Sequence, residues 1–177
     1  MMRVQRVGEH RAVPWRNGAG VTMEIVVGGD PLDWDWRLSL ATVAEDGPFS
    51  AFPEVVRQLV VVEGIGMVLT VDGIDVACRP DAVVVFDGGA VTSGRLVDGP
   101  VRDLNLMVRR GRASARLSVV TGPATVAGAV AAVALTPARA AATDLGPYDA
   151  LLDLGGAAVE CGTGKLAVVT AGQGIAA

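Results

Sequence analysis

The chain has 177 residues, of which 51% are hydrophobic and 19% charged, and carries a net charge of −4. This composition excludes disorder and leaves one domain, or two small fused lobes, with enough apolar surface for a core. Lysine and arginine form no run that would track a phosphate backbone, and apolar runs such as Leu59 to Val62 fall far short of the roughly 20 residues a membrane span needs.

The elements read as strands. Residues 21–27, VTMEIVV, and 34–43, WDWRLSLATV, have the β-branched, aromatic and alternating character of strands. With Leu38 and Leu40 toward a core, Arg37, Ser39 and Ala41 share the other face. AEDGPFSAFPE follows as a loop with glycine and two prolines. VRQLVVVEG (56–64) and IGMVLTVDG (65–73) predict two more strands, and the VDG turn into IDVACRP predicts a hairpin. AVVVFD (82–87), VTSGRLVD and VRDLNLMVRR supply three further strands. From Ala113 onward alanine, valine, glycine and threonine dominate. Alanine-rich VAGAVAAVAL suits a helix on propensity alone, but Gly122, Gly128, Gly146, Pro123, Pro137 and Pro147 leave no room for a long one. This half is therefore expected to be strands, with one short helix near 137–143.

Two imperfect internal repeats point to a tandem architecture. RPDAVVVFDGGAV (79–91) resembles GPYDALLDLGGAAV (146–159), and WRLSLATV (36–43) is echoed by ARLSVVTG (115–122). The expected fold is all-β: a first barrel over residues 1–112 carrying the ligand site, and a second, smaller barrel over 113–177. Closed barrels also remove the exposed edges that so many short strands would otherwise present. Any edges left exposed keep a homodimer open.

Chemistry is constrained by what the chain lacks. His10 is the one histidine, and zinc or iron sites normally take two or three with a carboxylate, so no metal and no cofactor is expected. In its polar stretch His10 reads as a surface residue. Cys78 and Cys161 lie in β-like sequence and read as small buried hydrophobes. The N-terminus has no apolar segment of signal-peptide length, so a cytoplasmic location is expected.

The candidate site residues come from polar positions that recur between apolar ones. Asn17 and Thr22 flank a glycine-rich stretch, and Thr22 and Glu24 share a strand face. Arg37 and Ser39 share a face of the next strand, Phe49 sits in the loop beyond it, and Arg57 follows. Asp103 and Asn105 share one face of VRDLNLMVRR, with Leu104 and Leu106 on the other. An arginine in a partly enclosed site suits a carboxylate, because its fork of donors matches two oxygens. The alternative is that Arg37, Glu24, Asp103 and Arg57 form structural ion pairs in a barrel mouth.

The same segments carry a family likeness. WRNGAGVTMEI (15–25), DWRLSLATVAEDGPFSAFPEVVRQLVVVEG (35–64) and VRDLNLMVRR (101–110) resemble the signature blocks of the HutD/Ves family, most specifically in WRLS and DGPFSAFP. The likeness is strong over roughly residues 10 to 110. It implies a bicupin without the usual cupin metal histidines, with one branch associated with histidine utilisation and another with a stress-induced protein. Three positions depart from the pattern: Ala19 and Glu54 stand where the family tends to have glycine, and Val56 where it tends to have aspartate. Glu54 adds charge beside the proposed pocket.

The reading that follows is a HutD-like protein binding a small carboxylate metabolite such as urocanate or formylglutamate, in a regulatory role in histidine catabolism. A metal-independent enzyme using Glu24 or Asp103 as general acid/base is the main alternative. A stress-response interaction protein is a third.

Overall fold

The computed structural model describes residues 1–15 and 20–172. They form strands throughout, with one short 3₁₀ turn at Val7–Glu9. The strands in chain order are β1 (Arg3–Gln5), β2 (Arg11–Pro14), β3 (Val21–Gly29), β4 (Trp34–Val43), β5 (Gly47–Pro48) and β6 (Val55–Glu63). They continue with β7 (Met67–Val71), β8 (Ile74–Cys78), β9 (Val84–Asp87), β10 (Thr92–Leu96), β11 (Val101–Arg109) and β12 (Ala115–Thr121). The last six are β13 (Ala124–Ala134), β14 (Ala138–Ala140), β15 (Thr143–Leu145), β16 (Ala150–Leu152), β17 (Ala157–Thr163) and β18 (Lys165–Ala171).

The chain divides into two compact units, Arg11–Arg112 and Met1–His10 together with Ala113–Ala177. The sequence reading put residues 1–10 with the first lobe. Instead β1 pairs antiparallel with β16, with Val4 opposite Leu151. Three residues of generic strand character carry no mark of so distant a partner.

The Arg11–Arg112 unit has a six-stranded sheet ordered β2-β3-β4-β11-β6-β9 and a four-stranded sheet ordered β5-β10-β7-β8. Its central strands are long and largely buried on both faces. Leu38, Leu40, Val60, Leu104 and Leu106 are buried on one face. On the other, Val43, Leu59, Val61 and Val101 pack with Met67, Leu69, Cys78 and Phe86 into one apolar cluster. The polar residues Arg37, Ser39, Arg57, Asp103 and Asn105 share this second face.

In the other unit β13 is the hub, pairing with β16, β17 and β18. Ala129, Ala131, Ala132 and Ala134 are fully buried there. Their small side chains suit a strand packed closely on both faces, and that packing overrides the helical preference of alanine. The short helix expected near 137–143 is instead the hairpin β14–β15. Ala140 pairs with Thr143, and both loop residues are left-handed, Ala141 at φ 46° and Ala142 at φ 60°. That is the two-residue hairpin geometry that normally selects asparagine or glycine, so alanine hid the turn. A left-handed alanine costs roughly 1–2 kcal/mol. Exposed Ala142→Gly should therefore raise stability by up to about 1 kcal/mol, read as a higher thermal midpoint. A lowered midpoint would contradict this account of the turn.

Candidate functional site

The second face of the β3–β4–β11–β6 sheet walls a cavity of about 780 Å³, lined wholly by the Arg11–Arg112 unit. Strand register explains which residues meet there. Asn105 stands opposite Ser39 on β4, Asp103 opposite Ala41, and Met107 between Arg37 and Arg57. On β3, Glu24 is opposite Ser39 and Thr22 opposite Ala41. Four strands with no sequence continuity thus put their polar residues on one surface.

Thr22, Glu24, Arg37, Ser39, Phe49, Arg57, Asp103 and Asn105 all line this cavity. Asn17 lies outside the described residues. Trp15, Trp34, Phe52, Met107 and Arg109, outside the candidate set, line it too. Met107 and Arg109 continue the two-residue period of Asp103 and Asn105, so extending that alternation would have found them. Phe52 sits in a loop, where no period applies. Glu54 also borders the cavity and has φ 62°, the left-handed backbone that favours glycine.

Arg57 is the most enclosed cation of the site, 4% exposed. Its guanidinium lies 5.3 Å from the Phe49 ring centre, 5.8 Å from Phe52 and 5.1 Å from Phe86. These ring faces offset part of the cost of burying the charge. Its Nη1 donates to the Ser50 carbonyl at 3.3 Å, while Nε has no partner among the described residues. Burial lowers its pKa to about 10, the positive charge of Arg37 adding to that and Asp103 opposing it. Arg57 is still cationic near neutrality.

Arg37 lies nearer solvent. It faces Glu24 at 4.0 Å, donates to Met107 Sδ at 3.5 Å and stacks 5.4 Å from the Trp34 ring centre, with Arg109 4.8 Å from the same ring. Burial lowers its pKa, with Glu24 opposing. Glu24 also meets Arg11 at 3.6 Å. Thr22 Oγ1 accepts from Trp15 Nε1 at 2.7 Å.

Asp103 is the deepest acid, 1% exposed. Desolvation pushes its carboxyl up to about 7, against the pull of Arg57. Its Oδ2 and Asn105 Oδ1 are buried without hydrogen-bond partners among the described residues. The cavity therefore offers buried donors on arginine, open acceptors on β11 and aromatic walls.

His10 is elsewhere and is not the surface residue expected. It is 6% exposed, and burial lowers its pKa against the opposing charges of Asp149 and Glu9. The 3₁₀ turn at Val7–Glu9, whose Val7 N–H donates to buried Asp149, precedes it in a stretch whose charges suggested solvent. Cys78 and Cys161 are free and buried, and burial pushes the Cys78 thiol up to about 11. Among the described residues no three His, Cys, Asp or Glu side chains gather as a metal site, and no helix is long and apolar enough to cross a membrane.

A family model and a solved structure match this chain over nearly its full length, and curated relatives match about two thirds of it or less. The HutD family model matches residues 8–174. An uncharacterised 21.2 kDa protein in the hutC 3′ region of Pseudomonas putida is 37% identical over 124 residues, covering 68% of this chain and 65% of that protein. Protein Ves of Citrobacter koseri is 37% identical over 108 residues, covering 59% of this chain and 56% of its own. The matches thus span about two thirds or less of those curated relatives. The solved structure of HutD from Pseudomonas fluorescens SBW25, in a formate condition, superposes with a TM-score of 0.86 at 33% identity, covering 97% of this chain and 100% of that one. With its two all-β, cupin-like units and a family match across almost every residue, the chain belongs to the HutD family.

Proposed function

We propose that the Arg11–Arg112 unit binds a small carboxylate metabolite of the urocanate or formylglutamate class, and that this binding serves a regulatory role in histidine catabolism in the cytoplasm. The observation that carries the reading is Arg57: a cationic guanidinium, almost fully buried, at a cavity of metabolite size. Among the described residues Asp103 attracts this buried cation without closing an ion pair on it, which is costly, and an anionic ligand with two oxygens matches its fork of donors. Arg37 and Arg109 add positive charge nearer the rim, while Trp15, Trp34, Phe49 and Phe52 supply apolar wall for the ligand's body.

A thermal-shift panel of urocanate, histidine, glutamate, formylglutamate, formate and divalent metals tests it. A ligand at about 100 times its dissociation constant adds about 2.7 kcal/mol of apparent stability, so the binding carboxylate raises the midpoint by several degrees. Stabilisation by a metal alone, or by nothing in the panel, would overturn the reading. One observation favours the second reading, a metal-independent enzyme: Asp103 is held near neutrality, where a carboxyl both gives and takes a proton. Prolonged incubation with the same metabolites, followed by mass spectrometry, would reveal turnover if that reading is right.

A further inference from the structure

The proposed arginine end accounts for the anion, but it leaves two buried acceptors on β11 unexplained. Asp103 Oδ2 and Asn105 Oδ1 are both enclosed and both lack a donor among the described residues. No described neighbour supplies one, the Ser39 hydroxyl included. Asp103 is flanked across the ladder by Ala41 and Val61, and Asn105 by Ser39 and Leu59. Backbone N–H groups of β4, β11 and β6 point within the sheet, where the ladder uses them. The Trp15 indole N–H is committed to Thr22. A buried acceptor without a donor is unfavourable, and two side by side on the same cavity face mark a place where a donor from outside belongs.

Resting on the carboxylate reading above, we infer that Asp103 and Asn105 are the specificity-determining acceptors of the site, so that the carboxylate it takes also carries an N–H donor, on an amide or an imidazole. The cavity then reads as two-ended: arginine donors for the anion, β11 acceptors for the N–H. A site built this way rejects an analogue that keeps the shape and lacks the hydrogen, because the acceptors stay unpaired. A plain dicarboxylate binds less well for the same reason. The charged and titratable groups around Asp103 are Arg57 from β6, Cys78 from β8 and, on the same cavity wall, Arg37 of β4 and Glu24 of β3. A donor arriving at Asp103 favours its ionised form, so binding near neutral pH releases a proton.

Titration calorimetry with the full chain decides it, using two matched pairs. One is N-formylglutamate against 2-formyloxyglutarate, in which an ester oxygen replaces the N–H. The other is urocanate against 3-(1,3-oxazol-4-yl)acrylate, in which a ring oxygen replaces the N–H. In at least one pair the N–H member should bind about tenfold tighter or better. That preference should collapse in Asp103→Leu and narrow in Asn105→Leu, with the oxygen analogue's affinity little changed. N-formylglutamate does not titrate near pH 7, so its binding in buffers of different ionisation enthalpy reads proton release directly. Release in the wild type and none in Asp103→Asn is expected, and this comparison serves even if the leucine variants fail to fold. Equal affinities within both pairs would overturn the inference and leave the carboxylate reading standing. A preference that survives unchanged in the β11 variants would overturn the assignment to these residues. No binding by any of the four would overturn both readings.

Discussion

Arg57→Ala should lose carboxylate binding, with affinity for the ligand that stabilises the wild type falling about 100-fold or more. Truncating one partner of a buried, hydrogen-bonded charge pair costs roughly 2–5 kcal/mol, and each 1.4 kcal/mol is tenfold in affinity. Arg57 stands at the upper part of that range because its position is set before ligand arrives. Three phenylalanine rings hold the guanidinium, and the Ser50 carbonyl takes one of its donors. Its desolvation is already met in the fold, so little is left to lose on binding. Even with its pKa lowered to about 10, it remains almost wholly charged at pH 7. Arg57→Lys keeps a charge but loses the planar fork and its stacking, so it should fall between wild type and alanine. Arg37→Ala should cost less, since Arg37 is more exposed and shares its charge with Glu24. Calorimetry on each variant, with circular dichroism as the check on folding, measures the series. Wild-type affinity in a folded Arg57→Ala protein would place the anion elsewhere.

The wall that holds these residues was readable strand by strand. Alternation alone put Arg37 with Ser39 and Asp103 with Asn105, because a strand buried on both faces still obeys a period of two. The register that brings Asn105 beside Ser39 was not readable, since pairing of β4 with β11 joins residues 58 to 72 positions apart through contacts no local pattern encodes. The aromatic lining was legible only in part: Phe49 and Phe52 both sit in the DGPFSAFP motif, whereas Trp34 reaches the cavity by stacking on arginine rather than by periodicity. His10 was misread because charged neighbours on either side signalled solvent, while a short 3₁₀ turn leads into a buried position. Alanine misled at 137–143, where two left-handed residues close a hairpin without the glycine or asparagine that announces one. The all-β character of the second half, by contrast, followed from its glycines and prolines against the helical pull of its alanines.

Asp103→Asn should reverse its effect on stability with pH, and this is the largest change expected in the unliganded protein. The unfolded carboxyl titrates at its ordinary 3.8, and the folded one at about 7, chiefly through desolvation. A carboxyl raised on folding contributes stability that is fully present below the unfolded value and is lost as pH rises through the folded one. Its contribution therefore declines between about pH 4 and pH 7 and is gone by pH 8. Each unit of displacement is worth about 1.4 kcal/mol. The folded value already includes the attraction of Arg57, and about two units of the displacement fall between pH 5 and that value, so a change on the order of 3 kcal/mol between pH 5 and pH 8 is expected. Asparagine mimics the neutral acid in size and polarity. The variant should come nearest the wild type at about pH 4, gain on it as pH rises, and exceed it clearly at pH 8. Other groups act in different windows or drop out of the comparison. Asp33 and Asp149 have lowered values, so their stability is present above about pH 4 and lost below it. His10, also lowered, contributes stability above its ordinary 6.5 that falls away in acid, with a slope opposite to that of Asp103 but common to both proteins. Urea unfolding of the two proteins at pH 5 and pH 8 isolates the Asp103 contribution as the change in their difference. A difference that stays constant across that interval would mean the carboxyl is already ionised at pH 5, and with it the neutral acid at the floor of the cavity would have to be given up.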